Sequence, residues 1–217
     1  MVAWLSKWGP LAGVLSGLLV AVSFVIGNNT PDSNAPGSQV IQWYTAHHKS
    51  ETVSDLLTGL AMFFLVLFAA VLARHVRRGD RWLATGTLGG AVAAAIGLTC
   101  LVGFDLILSL DTKDLTPASA QTLNMLENNF FLPVVLGFAL FGILGGLTVV
   151  AGRILPLWMG WVLFAAGVVA LVPPIAWFAM LAMELWVLVA GIWLVVQGPP
   201  PAIEQAEPVA AAEHALA

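Results

Sequence analysis

The sequence predicts an all-α polytopic membrane protein, a six-span transmembrane helix bundle with both N-terminus and C-terminus in the cytoplasm. Three observations carry that expectation. Only 9% of the 217 residues are charged, against roughly 25% in an ordinary soluble domain. The mean hydropathy is +0.93. Six apolar stretches, residues 11–27, 53–73, 82–110, 127–152, 154–172 and 175–197, approach the roughly twenty helical residues needed to cross a hydrocarbon core about 30 Å thick. Residues 1–197 thus form one transmembrane domain, and 198–217 a disordered acidic tail.

The first span follows Lys7. It is read as a span rather than a signal peptide because its apolar region exceeds the usual length and no A-x-A-like cleavage site follows. A turn-rich run from Asn28 to Gly37 comes next. Val40, Ile41, Tyr44 and His47 or His48 then recur at near-helical spacing, predicting a short amphipathic helix on the outer surface, anchored by Trp43 and Tyr44. Ser50 is placed to cap the second span, with Glu51 and Asp55 near the positive end of its dipole. Thr116-Pro117 starts a helix that runs into the fourth span. The fifth and sixth spans form one apolar tract, interrupted by Pro173-Pro174, where a tight hairpin is expected. Gly198-Pro199-Pro200-Pro201 opens the tail, which carries Glu204, Glu207 and Glu213.

Loop charge orients the bundle, because short cytoplasmic loops concentrate Lys and Arg. Arg74, Arg77, Arg78 and Arg81 mark the second loop as cytoplasmic and Arg153 marks the fourth. Lys7 puts the N-terminus on the same side, and an even number of spans returns the C-terminus there. Trp4, Trp8, Trp82, Trp158 and Trp161 fall near the inner interface and Trp177 near the outer one. Gly13 with Gly17, Gly86 with Gly90, and Gly142 with Gly146 are spaced for close helix packing, read as contacts within one subunit.

Several chemistries lack their residues. All four histidines lie in loops or the tail, which argues against intramembrane haem. Cys100 is the sole cysteine, so disulfide exchange, zinc ribbons and iron–sulfur ligation within one chain are excluded, and the thiol reads as packing filler. No H-E-x-x-H, G-x-S-x-G or Walker phosphate loop occurs. The basic cluster abuts two spans and touches anionic lipid, so nucleic acid is not expected as a partner. No cofactor or metal is called for.

The positive signal is acidic. Asp55 begins the second span, Asp105 lies about one and a half turns inside the third, and Glu127 opens the fourth beside Asn128 and Asn129. Glu184 lies about nine residues into the sixth span, on the order of 14 Å deep, where no Lys or Arg shares its depth. An ionisable group there costs at least a few kcal/mol unless protonated, hydrogen-bonded, hydrated or paired. A protonated carboxyl or a bound external cation would resolve that cost, and Glu184 is expected to face the bundle and to be largely neutral at pH 7. Together with Trp177, Phe130 and Phe131, these groups predict an outer vestibule ending at Glu184.

The stretch Val40 to His47 after a Pro-rich outer loop, the run from Asn128 to Pro133, and the run from Leu155 to Trp161 resemble a broad family of small six-span membrane proteins frequent in actinobacterial genomes. The resemblance covers about residues 10–197. It implies the architecture and a bacterial plasma-membrane location, and no mechanism.

Three functional classes fit these residues. The leading one is a non-enzymatic binding or accessory protein of the plasma membrane, whose vestibule takes a lipophilic or cationic ligand. Its partners would be the lipid bilayer and a second copy or accessory subunit. A second is a membrane-embedded enzyme using Glu184 or Asp105 as an acid on a lipophilic substrate, by functional analogy with terpene cyclases. A third is a proton- or cation-coupled transporter with Glu184 as carrier, which with six spans would require an oligomer.

Overall fold

A computed structural model describes residues 2–27, 29–74 and 80–197, with side chains described from residue 8 onward. The predicted tail, His75, Arg77 and Arg78 lie outside the described residues, as do the side chains of Trp4 and Lys7. Helices are the main elements of the described chain, which contains no strand: α1 Val2–Ile26, α2 Gly37–Ala73, α3 Arg81–Leu110, α4 Pro117–Asn129, α5 Phe131–Gly152, α6 Leu157–Ala170 and α7 Ala176–Gln197. α1, α2, α3, α5 and α7 are long and apolar enough to cross a membrane, which marks the chain as a membrane protein. Large apolar side chains such as Leu56, Phe63, Ile96, Leu132, Phe178 and Val196 remain exposed around the bundle. A surface of this kind suits lipid, not water.

Six helices close into a ring in the order α1, α2, α3, α5, α6, α7 and back to α1, each packed against its two neighbours. Neighbours run antiparallel. Gly9 of α1 meets Val71 of α2 at one end, while Gly27 meets Ser54 nearer the other. The ring buries Leu65, Phe68, Phe141, Met183 and Val187 completely at its centre. α4 and the first four turns of α2 lie beyond one end of the ring, where Val40, Tyr44, Leu108 and Ala120 form a second apolar cluster. This is the cap end. The opposite, basic end carries Arg74, Arg81 and Arg153.

Small residues set the ring's spacing. A Cβ on Gly97 would lie 2.8 Å from the backbone nitrogen of Val134, and one on Gly191 2.7 Å from that of Val14. Gly142 faces Gly167, and Gly146 faces Gly160 and Phe164. The three sequence pairs therefore make contacts inside one chain: Gly13 with Phe68, Gly17 with Leu188, and Gly90 with Phe141. Polar clasps supplement them. Thr87 and Thr148 share a hydrogen bond of 2.8 Å between α3 and α5, and Trp186 Nε1 donates to Met159 O at 2.9 Å between α7 and α6.

Four expectations about element limits change. The short surface helix and the second span are one helix of 37 residues, about 55 Å long and so much longer than a hydrocarbon core is thick. No Gly or Pro interrupts residues 38–58, and Val40 and Tyr44 bury against Leu108 and Ala120 instead of meeting headgroups. Ser50 accordingly caps nothing, and its hydroxyl donates to His47 O at 2.9 Å. The helix from Pro117 enters the fourth span as expected but breaks there at Phe130, α4 ending at Asn129 and α5 starting at Phe131. Pro133 explains the break, since its ring opposes the carbonyl four residues earlier and it has no N–H to donate. Thr116 caps α4 as the sequence suggests, accepting from Ser119 N at 3.2 Å.

The fifth span contains a helix of only 14 residues, about 21 Å long. Arg153 ends α5 in a left-handed conformation, with φ at 50°, and Pro156 keeps Leu155 out of the helical region. Residues 154–156 therefore connect the two helices. At the N-terminus the reverse holds, because α1 begins at Val2 and includes Pro10. The Pro173-Pro174 hairpin is a single 3₁₀ turn over Pro173–Ile175.

Candidate functional site

Glu184 faces the interior of the ring and is 6% exposed. α7 holds it there because Gly17 lets α1 pack directly on the Glu184 backbone. Its nearest polar partner is Ser16, whose hydroxyl lies 3.4 Å from Glu184 Oε2 and 3.0 Å from Ala61 O. One hydroxyl proton cannot serve both acceptors, and the carbonyl has the better distance. Glu184 Oε1 has no hydrogen-bond partner. The carboxyl is thus buried and only weakly held by the protein.

Two more carboxyls stand nearer the cap end. Asp55 on α2 and Asp105 on α3 are neighbours, and the Tyr44 hydroxyl adjoins Asp105. Asp55 and Asp105 are 6% and 8% exposed. Asp55 Oδ2, Asp105 Oδ1 and the Tyr44 hydroxyl lack hydrogen-bond partners. Such an arrangement is costly, because desolvated carboxylates repel one another and forgo the hydrogen bonds water would give.

These acids border one cavity of about 420 Å³. Glu51, Asp55 and Met62 line it from α2, Asp105 and Leu98 from α3, Val134 and Phe138 from α5, Ser23 and Phe24 from α1, and Trp177, Met180 and Glu184 from α7. Asn29 and Thr30 border it from the α1–α2 loop. Among the described residues, none of those lining it is Lys, Arg or His. Nor do any three described His, Cys, Asp or Glu residues cluster in a way that could hold a metal ion. The cavity therefore combines dispersed carboxyl groups with an apolar and aromatic wall.

Of the sequence candidates, Glu184, Asp105, Asp55 and Trp177 line this cavity, whereas Glu127, Asn128 and Asn129 do not. Asn129 Nδ2 donates to Met125 O at 2.6 Å, and Asn128 Nδ2 to Asn124 O at 2.9 Å and Glu127 Oε2 at 2.7 Å. Both amides are exposed, and both donate to carbonyls one turn earlier in α4. Phe130 packs on Phe104 and Phe131 on Trp177. Asp105 and Asn128 share no hydrogen bond among the described contacts.

Sequence reading missed Glu51, Ser16 and Ser23. Glu51, taken as a helix-end carboxylate, is 3% exposed. The signal was available as spacing. Glu51, Asp55, Thr58 and Met62 follow the i, i+4, i+7, i+11 pattern of one helical face, and so do Ser16, Val20, Ser23 and Gly27. Phase within a helix marked these residues where depth alone did not.

α4 secures the loop over the cavity. Asn124, fully buried, donates from Nδ2 to Asp32 O at 2.8 Å, and Asn128 reaches Pro31 O at 3.4 Å. Asn124→Ala removes the stronger tie and leaves Asp32 O with the Ala35 N–H as its donor, a loss of about 0.5–1.5 kcal/mol. Amide exchange in residues 29–36 is expected to accelerate in the variant while α3 and α5 remain protected. Uniform acceleration across the bundle would mean that Asn124 stabilises the whole fold. No protein family, curated protein or solved structure matches this chain.

Proposed function

We propose that this chain is a non-enzymatic binding protein of a bacterial plasma membrane, with six spans, both termini in the cytoplasm and a vestibule that takes a lipophilic cation from the outer side. The observation that carries the reading is Glu184, a buried carboxyl with an unpartnered oxygen at the end of a cavity bordered by acids and aromatic rings. A cationic headgroup would neutralise the carboxyls, and aromatic faces would add cation–π attraction. An apolar body would fill the rest of the cavity. The six-span reading counts α6 together with its flanking apolar residues, and the arginines of the basic end support a cytoplasmic position for it.

Two features favour binding over transport. Toward the basic end the ring is filled by Leu65, Phe68, Phe141 and Val187, all fully buried, so passage would require repacking the core. On the lipid side, Phe24 and Trp177 line the cavity and are also 48% and 43% exposed at the bundle surface. Their rings meet edge to face, with centroids 5.7 Å apart. This exposed pair separates the cavity from the bundle surface, and a lipophilic ligand would enter there.

The test is binding of n-octylamine against n-octanol to protein in phosphatidylcholine nanodiscs, followed by tryptophan fluorescence. The amine is expected to bind with at least about tenfold preference, and Glu184→Gln to remove most of that preference, about 1.4 kcal/mol or more. Equal affinity for the alcohol, or an amine preference unchanged in Glu184→Gln, would reject the reading. Native mass spectrometry of wild type and Glu184→Gln reports any lipid that co-purifies with the carboxyl.

A further inference from the structure

We propose that the cavity selects an organic dication, one ammonium group held by Asp55 and Asp105 and a second by Glu184, joined by an apolar spacer. This rests on the cation-binding reading above and adds the valence and length of the ligand.

The two acidic positions sit at different levels of one cavity. Ser16 contacts both Ala61 O and Glu184 Oε2, which fixes the Glu184 carboxyl at the level of Ala61 on α2. Asp55 precedes Ala61 by six residues on the same uninterrupted helix, so it stands about 9 Å nearer the cap end. Asp105 adjoins Asp55 from α3. Each position contributes a side chain more than nine-tenths buried, with an unpartnered carboxyl oxygen bordering the cavity.

Between these levels the wall offers little to a charge. Met180 and Leu181, four and three residues before Glu184 on α7, and Val20 of α1 are apolar, and Ser23 directs its hydroxyl proton to Val20 O at 2.8 Å. Thr58 directs its hydroxyl proton to Ser54 O at 3.0 Å. A single compact cation would satisfy one level and leave the other without a counter-charge, and the described acids do not converge as a metal ion requires. An extended diamine of about six methylenes spans roughly the same 9 Å in its all-trans form. Its chain would lie along the apolar middle, where its desolvation is favourable.

Titration of the protein in phosphatidylcholine nanodiscs with n-hexylamine, 1,3-diaminopropane, 1,6-diaminohexane and 1,10-diaminodecane tests this. The 1,6-diamine is expected to bind about tenfold or more tighter than n-hexylamine and than the 1,3-diamine. Glu184→Gln should reduce it to the affinity of n-hexylamine, with an unchanged melting temperature showing that the fold persists. Glu184→Asp withdraws the deep carboxyl by one methylene and should shift the optimum to a longer diamine. Monoamine binding that depends on Glu184 with no preference for diamine length would overturn the two-point contact and leave the cation site standing. Failure of every amine to bind would overturn both.

Discussion

Asp105→Asn is expected to raise the melting temperature of the ligand-free protein and to weaken its binding of an ammonium ligand by about tenfold or more. Asp105 is 8% exposed and adjoins Asp55 and the Tyr44 hydroxyl, with its Oδ1 unpartnered. An Asn of nearly the same shape removes one of two crowded acids. It also supplies an NH₂ group able to donate toward Asp55 or the Tyr44 oxygen. Relief of an unsatisfied buried polar atom is worth about 1–3 kcal/mol, or roughly 2–12 °C for a chain of this size. The same change removes one of the three acids, Glu51, Asp55 and Asp105, that border the cap-end level of the cavity. Stability and affinity then move in opposite directions, as they do where a site is held in a strained state for its ligand. Thermal unfolding in detergent, with and without n-octylamine, reads both effects. A fall in melting temperature would mean that Asp105 is already well compensated in the ligand-free protein.

Gly137→Leu should abolish the folded bundle, whereas Gly89→Leu should be nearly neutral. Gly137 on α5 abuts the backbone of Ala93 and Ala94 on α3, and the Cβ of any other residue would overlap those backbone atoms. Backbone cannot swing aside as a side chain can, so α3 and α5 must separate. Their interface includes Val134, Phe138 and Phe141, and its loss exceeds the usual overpacking cost of about 1–3 kcal/mol. Gly89 on α3 has open space around its Cβ position. Leu adds lipid-compatible surface there and improves helix propensity by somewhat under 1 kcal/mol. Size-exclusion chromatography and thermal unfolding of the two variants separate the cases. A monodisperse Gly137→Leu protein melting within about 2 °C of wild type would show that α3 and α5 tolerate separation.

Much of the architecture was legible in local composition. Apolar windows marked the long helices because lipid exposure and burial both demand apolar side chains over about twenty residues. Thr116-Pro117 and Pro173-Pro174 were read correctly because capping and ring sterics act within a few residues. The errors lie where a local signal competes with a distant partner. Tyr44 looked like an interfacial anchor, yet the burial of Leu108 and Ala120 around it extends α2 beyond the span. Pro133 was a local signal overlooked, and it separates α4 from α5.

The candidate site divides along the same line. Glu184 was identifiable because a carboxyl so deep in an apolar segment is expensive wherever the helix points, and Asp55, Asp105 and Trp177 followed from their proximity to a shared boundary. Glu127, Asn128 and Asn129 share that boundary and still miss the cavity, because boundary depth is silent on direction.

By itself the sequence determined a helical membrane protein with its arginines gathered at the loops and its acids left unpaired by any cation within the spans. Those are properties of single segments, set by the cost of placing charge and unbonded backbone in hydrocarbon. Only the tertiary structure decided that Glu51, Asp55, Asp105 and Glu184 border one cavity. That outcome depends on the rotation and register of α1, α2, α3 and α7 about one another. Glycine contacts such as that of Gly17 in α1 against α7 and of Gly97 in α3 against α5 set both, at distances no single segment encodes.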